Sequence, residues 1–506
     1  MHHLKKRFIL LCFFSACCAS ANQEISKQPL VHLNQTHDVD FAFFNDPYLF
    51  EQYAKQPLYD LTQLGISSDG IAPDAETPVV DLSETADVDF SFFNDPYAFE
   101  TFRTDLPIKA KFSGYIQYAS WWDSRQGESL GAGFIYFFPK DREFDADCRD
   151  VNAQGTSNMT TLETRVRAEF FGPEVLGAES FAYIEADFFG FDQISDLSRN
   201  SVINRMRLRN AFIQLSWSAS KILLGQFYHP IFIIKTFPLN ISIEAGAPIA
   251  PFGRNPQIRY TIFKNNYEIL FAALTQLQFT DTGPEGFSSI YIRNSRMPMY
   301  IIRAAYDVKH IYAGAAVLFE RLKPRIESNK GFSVNEYINN AQATAFATIK
   351  FEPLEIRQQI TYAQNASNIA MLGGFAVSSV DPATDKRHYT NLNTLSYWMD
   401  ININRKIEPG LFIGIAKNLG ANSTIIQCLP NPKTDTPEET LYYFGKGINT
   451  LFKCSPRIRW HILPIDFATE IAYTRATYGC IDDYGRIQNS APVSNTRLIF
   501  AAYYFF

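Results

Sequence analysis

The chain closes on RLIFAAYYFF (497–506), a run of aromatics with nothing polar after it. Written as a strand, Leu498, Phe500, Ala502, Tyr504 and Phe506 fall on one face, and Arg497, Ile499, Ala501, Tyr503 and Phe505 on the other. The first face is apolar throughout, and the second is hardly more polar. A strand of this kind needs an apolar environment along its whole length. The rest of the chain has to show whether that environment is a protein core or a bilayer.

The N-terminus bears on this first. MHHLKKRFILLCFFSACCASA carries a basic start (Lys5, Lys6, Arg7), an apolar stretch from Phe8 to Phe14 and a small-residue Ala19-Ser20-Ala21 site. This is the pattern of a secretory signal over 1–21, so the expected destination lies outside the cytoplasm. The chain is 46% hydrophobic and 15% aromatic, with 44 Phe and 26 Tyr in 506 residues. No later apolar run approaches the ~20 residues of a membrane helix. That richness fits either a very large β core or a chain whose strands meet lipid.

Charge divides what remains. Residues 22–106 hold 16 acidic and 3 basic residues, net −13, whereas 107–506 hold 36 acidic and 40 basic, net +4. The acidic arm contains a repeat, DVDFAFFNDPYLFE (38–51) and DVDFSFFNDPYAFE (87–100), identical at 12 of 14 positions. Two copies cannot form a solenoid. The arm reads as largely irregular, and the repeat as a linear motif whose aromatics would anchor on a periplasmic partner or on the mouth of the basic body.

From Pro107 onward about sixteen segments of ~8–12 residues alternate, the length of tilted membrane strands. In LNTLSYWMDININ, Leu395, Tyr397, Met399, Ile401 and Ile403 oppose Ser396, Trp398, Asp400, Asn402 and Asn404. Long connectors alternate with short ones along the whole body, the long ones near 123–160, 189–202, 226–255, 280–297, 320–340, 364–393, 417–453 and 479–496. Spanning barrels pair short periplasmic turns with long extracellular loops in this way, whereas a sandwich has no reason to. The expected fold is therefore all-β: a transmembrane antiparallel β-barrel of about sixteen strands over 107–506, placed in the outer membrane. The final strand should close against KAKFSGYIQYASWW, leaving no edge unpaired in lipid. Tyr504 and Phe506 should join a periplasmic aromatic girdle with Trp217 and Trp460. The terminal Phe506 is also the expected recognition point for barrel assembly machinery.

The lumen candidates follow from alternation. Arg205, Arg207 and Arg209 are spaced by two and so share a face, and the lipid face would cost each about 2–4 kcal/mol near mid-bilayer. They are expected to line the pore, with a bulge near Asn210 where the alternation slips. Arg165, Arg167, Arg259, Arg303, Arg357, Arg457 and Arg459 fall on inward positions of other strands, and Glu163, Glu169, Glu185 and Asp187 are at hand to pair with some of them. The connector FYHPIFIIKTFPLNISIEAGAPIAPFGRN (227–255) stands where an inward-folded constriction loop is expected, with Lys235, Glu244 and Arg254 as its charges. Outside the signal the cysteines are Cys148, Cys428, Cys454 and Cys480. Export permits disulfides, and a shared loop rim suggests Cys148–Cys480 and Cys428–Cys454. No CxxC, HExxH or GxSxG occurs, and the histidines are scattered, so neither a metal, a cofactor nor an enzyme active site is expected.

Several stretches resemble the DcaP-like and phosphate-selective porins: GYIQYASWWDSR (114–125), RLRNAFIQLSW (207–217) with LLGQFYHP (223–230), IGIAKNLGANS (413–423), and EIAYTRATYGCIDDYGRI (470–487) running on to VSNTRLIFAAYYFF. The resemblance implies a sixteen-stranded, usually trimeric diffusion channel. The expected function is a water-filled channel for small hydrophilic solutes with a modest anion preference. The alternative is a plugged or structural barrel acting as an adhesin or envelope anchor.

Overall fold

The computed structural model describes residues 108–190, 205–430 and 437–506. The signal and the acidic arm with its repeat lie outside the described residues. Sixteen strands form the wall. The first eight are β1 (Lys109–Asp123), β2 (Thr156–Thr160, continued by Arg165–Phe171), β3 (Glu179–Gly190), β4 (Arg205–Ser216), β5 (Ser220–Tyr228), β6 (Arg254–Lys264), β7 (Tyr267–Leu274) and β8 (Met299–Val308). The rest are β9 (Ile311–Leu322), β10 (Ile338–Phe351), β11 (Leu354–Gln364), β12 (Arg387–Ile403), β13 (Ile407–Ala421), β14 (Ile448–Ile462), β15 (Ile465–Ile481) and β16 (Ile487–Phe505). Each pairs antiparallel with its chain neighbour.

β1 and β16 close the ring, in register from Tyr115↔Phe505 to Asp123↔Arg497. The last residue completes the seam. Phe506 N donates to Gly114 O at 3.1 Å, and Gly114 N to Phe506 O at 2.9 Å. Closure satisfies the backbone groups that an open edge would leave bare. On β16, Leu498 (48% exposed), Phe500, Tyr504 and Phe506 look outward, while Arg497, Ile499 (4%) and Ala501 are buried inside. The outer face is apolar around the ring, with Phe112, Ile184, Met206, Leu208, Ile258, Phe271, Ile302, Val317, Ile360, Leu395, Ile415, Ile458 and Ile471 all exposed. That belt and the absence of an edge are what a hydrocarbon solvent requires.

Long and short connections alternate as the sequence implies, except at the end. The last long connector (479–496) is mostly strand: pairing continues through Cys480↔Gln488 and Ile481↔Ile487 after a register shift, so β15 and β16 project as one hairpin. The shift expected near Asn210 is present. Glu185 pairs with Asn210 and Ala186 with Leu208, which leaves Arg209 unopposed and turned inward beside Asn210.

The interior is not uniformly wet. Inward residues of β12–β16, among them Trp398, Phe412, Ala416, Leu451, Ala468, Ala476, Val493, Ile499 and Ala501, form one apolar cluster with loop residues Phe137, Phe138, Ile241, Ile249, Ala250 and Leu372. Trp398 and Phe412 stack at 6.1 Å and are fully buried. The contact is close. A Cβ at Gly414 would lie 2.8 Å from Ile249 Cγ2, so only glycine lets the loop touch the wall there.

The disulfide expectation is not met. The four cysteines among the described residues, Cys148, Cys428, Cys454 and Cys480, are all free. Cys454 sits mid-strand in β14, opposite Ile413 and Tyr473, on the outward side between the buried Lys453 and Ser455. It therefore does not share a rim with Cys428. The first loop does reach the last hairpin, through Tyr478 Oη to Pro139 O (2.8 Å) and Arg142 Nη2 to Pro492 O (2.9 Å), yet Cys148 and Cys480 remain unbonded. Titration of the chain without its signal 1–21, under non-reducing, denaturing conditions, should find four thiols per chain. In the membrane, a water-borne maleimide should label Cys148, Cys428 and Cys480 and spare Cys454. A Cys-linked peptide in a non-reducing digest would contradict this arrangement.

Candidate functional site: an arginine-rich lumen

Three adjacent strands build an ionic band inside the barrel. β2 supplies Arg165 and Arg167, β3 Glu185 and Asp187, and β4 Arg207 and Arg209, each on the inward parity of its strand. Glu185 is the hub. Its Oε1 accepts from Arg209 Nε (2.7 Å) and Asn210 Nδ2 (3.1 Å), and its Oε2 from Arg167 Nε (2.8 Å) and Tyr183 Oη (3.0 Å), with Arg165 Nη1 at 3.8 Å. Asp187 takes two bonds from Arg207 (3.0 and 2.6 Å) and one from Arg209 (2.7 Å). Arg165 also meets Glu163 at 3.0 Å, and Glu163 accepts from Gln117 Nε2 at 2.9 Å. Four guanidiniums thus share three carboxylates, so the band is close to neutral.

A cavity of about 760 Å³ runs along this wall. Lys111, Phe171, Ser216, Lys221 and Phe506 border it at the short-turn end, and Ile135, Phe137, Gln278 and Phe279 from the long loops border it at the other. Facing the band is the inward-folded loop 229–253, which presents Phe232, Phe237, Ile241, Ile243 and Ala247. Polar anchors pin that loop to the far wall. Glu244 pairs with Lys453 at 2.8 Å, both buried, and Glu470 accepts from Ile241 N (2.5 Å) and Asn240 Nδ2 (3.2 Å).

The expected residues are distributed unevenly. Arg165, Arg167, Arg207, Arg209, Arg254, Arg259 and Glu244 line the cavity together. Arg205, Lys235, Arg457 and Arg459 are not among its lining. Arg205 lies exposed at the start of β4. Lys235 pairs with Asp307 (2.8 Å). Arg457 is bidentate on Asp400 (2.7 Å twice), and Arg459 approaches Glu408 at 3.9 Å. Arg259 donates to Gln257 Oε1 and to Tyr228 O (2.7 Å each) and lies over Phe227.

Arg254 is the exception. It opens β6 rather than ending a loop. Its guanidinium is buried against the rings of Tyr228 (5.6 Å) and Phe252 (5.3 Å), meets no carboxylate among the described residues, and its Nη1 has no hydrogen-bond acceptor. Alternation could not find this, because the residues before it follow no period. Nearby His229 stays neutral: burial, helped by Arg259, lowers its pKa to about 3.

No family model matches the sequence, and no curated relative does. Among solved structures, the outer-membrane channel DcaP of Acinetobacter baumannii superposes with a TM-score of 0.55 at 13% identity, over 79% of this chain and 97% of that one. The barrel fold is that of the DcaP channel. OmpT of Vibrio cholerae (TM-score 0.46, 9% identity, 79% and 98% coverage) and Salmonella typhi OmpF in complex with daunomycin (0.42, 10%, 79% and 98%) are more remote. Identity this low speaks for a shared DcaP-type architecture alone.

Proposed function

We propose that the chain is an outer-membrane diffusion channel for small hydrophilic solutes, with a modest preference for anions. The observation that carries the reading is the charged cavity bordered by residues of both rims, inside a wall with an apolar exterior. A path of this kind selects by the sign of its field rather than by chemistry on a substrate. Because Glu163, Glu185 and Asp187 offset the arginines of β2 and β4, the residual positive charge is assigned to Arg254, backed by Arg259. The long loops would face the exterior and the short turns the periplasm.

One observation favours the second reading, a plugged barrel: the apolar core that fills the β12–β16 side of the interior. Planar-bilayer recording separates the two. The channel reading expects stable, discrete conductance steps, since a barrel this wide can hold an aqueous channel. It also expects a zero-current potential in a KCl gradient that moves towards cation preference in Arg254→Gln. A wild-type barrel that inserts and conducts nothing supports the plug. An unmoved potential in Arg254→Gln removes that residue from the path.

A further inference from the structure

Charged residues on the last five strands point inward with two exceptions. Every Asp and Glu on β12–β16 is buried, and of their Lys and Arg only Lys417 and Arg475 are exposed. Lys417 shares the lipid-facing side of β13 with Ile413 and Ile415, and Arg475 shares that of β15 with Ile471 and Tyr473. Neither forms a hydrogen bond or an ion pair among the described residues. Arg321, outward at the same end of β9, is by contrast already held by Asn339 Oδ1 (2.8 Å) and lies over Tyr337.

The two cations stand at one height. Each lies ten residues beyond the first outward residue after its short turn, Ile407 on β13 and Ile465 on β15. Ten residues at ~3.3 Å on a strand tilted by about 40° rise about 25 Å, the height of the apolar band of such barrels. Lys417 and Arg475 therefore mark its outer edge, where a charge on the lipid face costs little. The ladder also sets them side by side. Lys417 faces Thr450 of β14, and Arg475 lies between Phe452 of β14 and Ser494 of β16. Two strand spacings of ~4.8 Å and a two-residue offset place their Cα atoms about 12 Å apart.

With no carboxylate on this sector of the outer wall, the matching anion has to come from the membrane. A lipid with one phosphodiester reaches a single cation. A disaccharide head with a phosphate on each sugar reaches both, while its acyl chains lie along Ile413, Ile415, Phe452, Ile471 and Tyr473. Thr450 and Ser494 offer hydroxyls to the sugars between. We propose that Lys417 and Arg475 form a docking site for one lipopolysaccharide molecule of the outer leaflet, each cation taking one phosphate. Arginine grips its phosphate through two parallel N–H bonds, and lysine acts as a point charge. This rests on the outer-membrane channel reading, which puts the long-loop end outside.

The test uses the chain without its signal 1–21, refolded into detergent free of lipopolysaccharide. Native mass spectrometry with purified bisphosphorylated lipid A should show one tightly held lipid per chain. The same lipid should raise the Tm by about 3 °C or more, whereas phosphate-free lipid A and phosphatidylglycerol should not. That comparison needs no variant. Lys417→Gln/Arg475→Gln, altering two exposed side chains, should weaken lipid A binding roughly thirtyfold and leave the lipid-free Tm in place. Equal binding of the phosphate-free lipid overturns phosphate recognition, and equal affinity in Lys417→Gln/Arg475→Gln overturns the site. Planar-bilayer steps in lipopolysaccharide-free lipid test the channel reading separately, so a conducting chain indifferent to lipid A sinks this proposal alone.

Discussion

Replacing Glu185 with glutamine should convert a nearly neutral lumen into a strongly anion-selective one and cost the barrel much of its stability. Three guanidiniums converge on this carboxylate, from Arg165, Arg167 and Arg209. Without its charge they must share Glu163 and Asp187, and the band gains one net positive charge in a confined space. Removing one partner of a buried ion pair typically costs about 3–5 kcal/mol, because the remaining charge stays desolvated. Water in the cavity will reduce that figure. The denaturation midpoint should fall, and the zero-current potential in a KCl gradient should move towards the chloride limit. Adding Arg167→Met should recover part of both, since the two sites are in contact and their effects cannot be additive. A stable barrel with unchanged selectivity would show that the band lies off the conducting path.

The second large effect is expected at Lys453. Its ammonium is the countercharge that holds Glu244, and with it the loop 229–253, against the far wall. In Lys453→Met, Glu244 would be left buried and charged, a loss of about 3–5 kcal/mol if it stays where it is. The less costly response is for the loop to leave the wall. Single-channel conductance should then rise and become noisier. Glu244→Gln/Lys453→Met should return conductance towards the unmutated level, because a pair of neutral, well-packed side chains can replace a buried ion pair at little cost. Equal conductance in the single and double variants would mean that this loop does not set the narrowest point.

The wall was legible because lipid enforces a rule that local sequence can express. LNTLSYWMDININ and RLIFAAYYFF alternate since every second residue must be apolar, and connector lengths betray which rim is which. The Arg-ladder spacing and the slip after Asn210 are local in the same sense. The interior is not local. Trp398 sits on the face shared with Ser396 and Asp400, yet it is buried beside Phe412 and, in the same apolar cluster, Ile249, about 150 residues earlier in the chain. The one hint was present in the opening stretch, whose second face is nearly as apolar as its first. Cys454 was misplaced for a different reason. The strand starts at Ile448, several residues before the alternation of FKCSPRIRW becomes clear, so a wall residue was counted with the loop. Arg254 was singled out only as a charge of the constriction loop; that it meets rings and no carboxylate was not legible, because those rings come from residues with no periodic pattern.

The apolar inner face of the last strands also dictates an order of events. Until the first loop and the loop 229–253 dock, Ile499, Ala501, Ala468 and Ala476 are as bare on one side as Leu498, Phe500 and Ile471 are on the other. The C-terminal hairpin is thus a two-sided adhesive while the sheet is open, and transiently exposed surface of this kind drives aggregation. The partners that cover it are far away in the chain: Asp123 meets Arg497, and Ile249 packs in the same cluster as Ile499. Contacts across such separations form slowly. The hairpin of β15 and β16 therefore waits for cover from partners far away in the chain. An escort through the periplasm should bind here, and its removal should strand the chain at the step just before β1 meets β16.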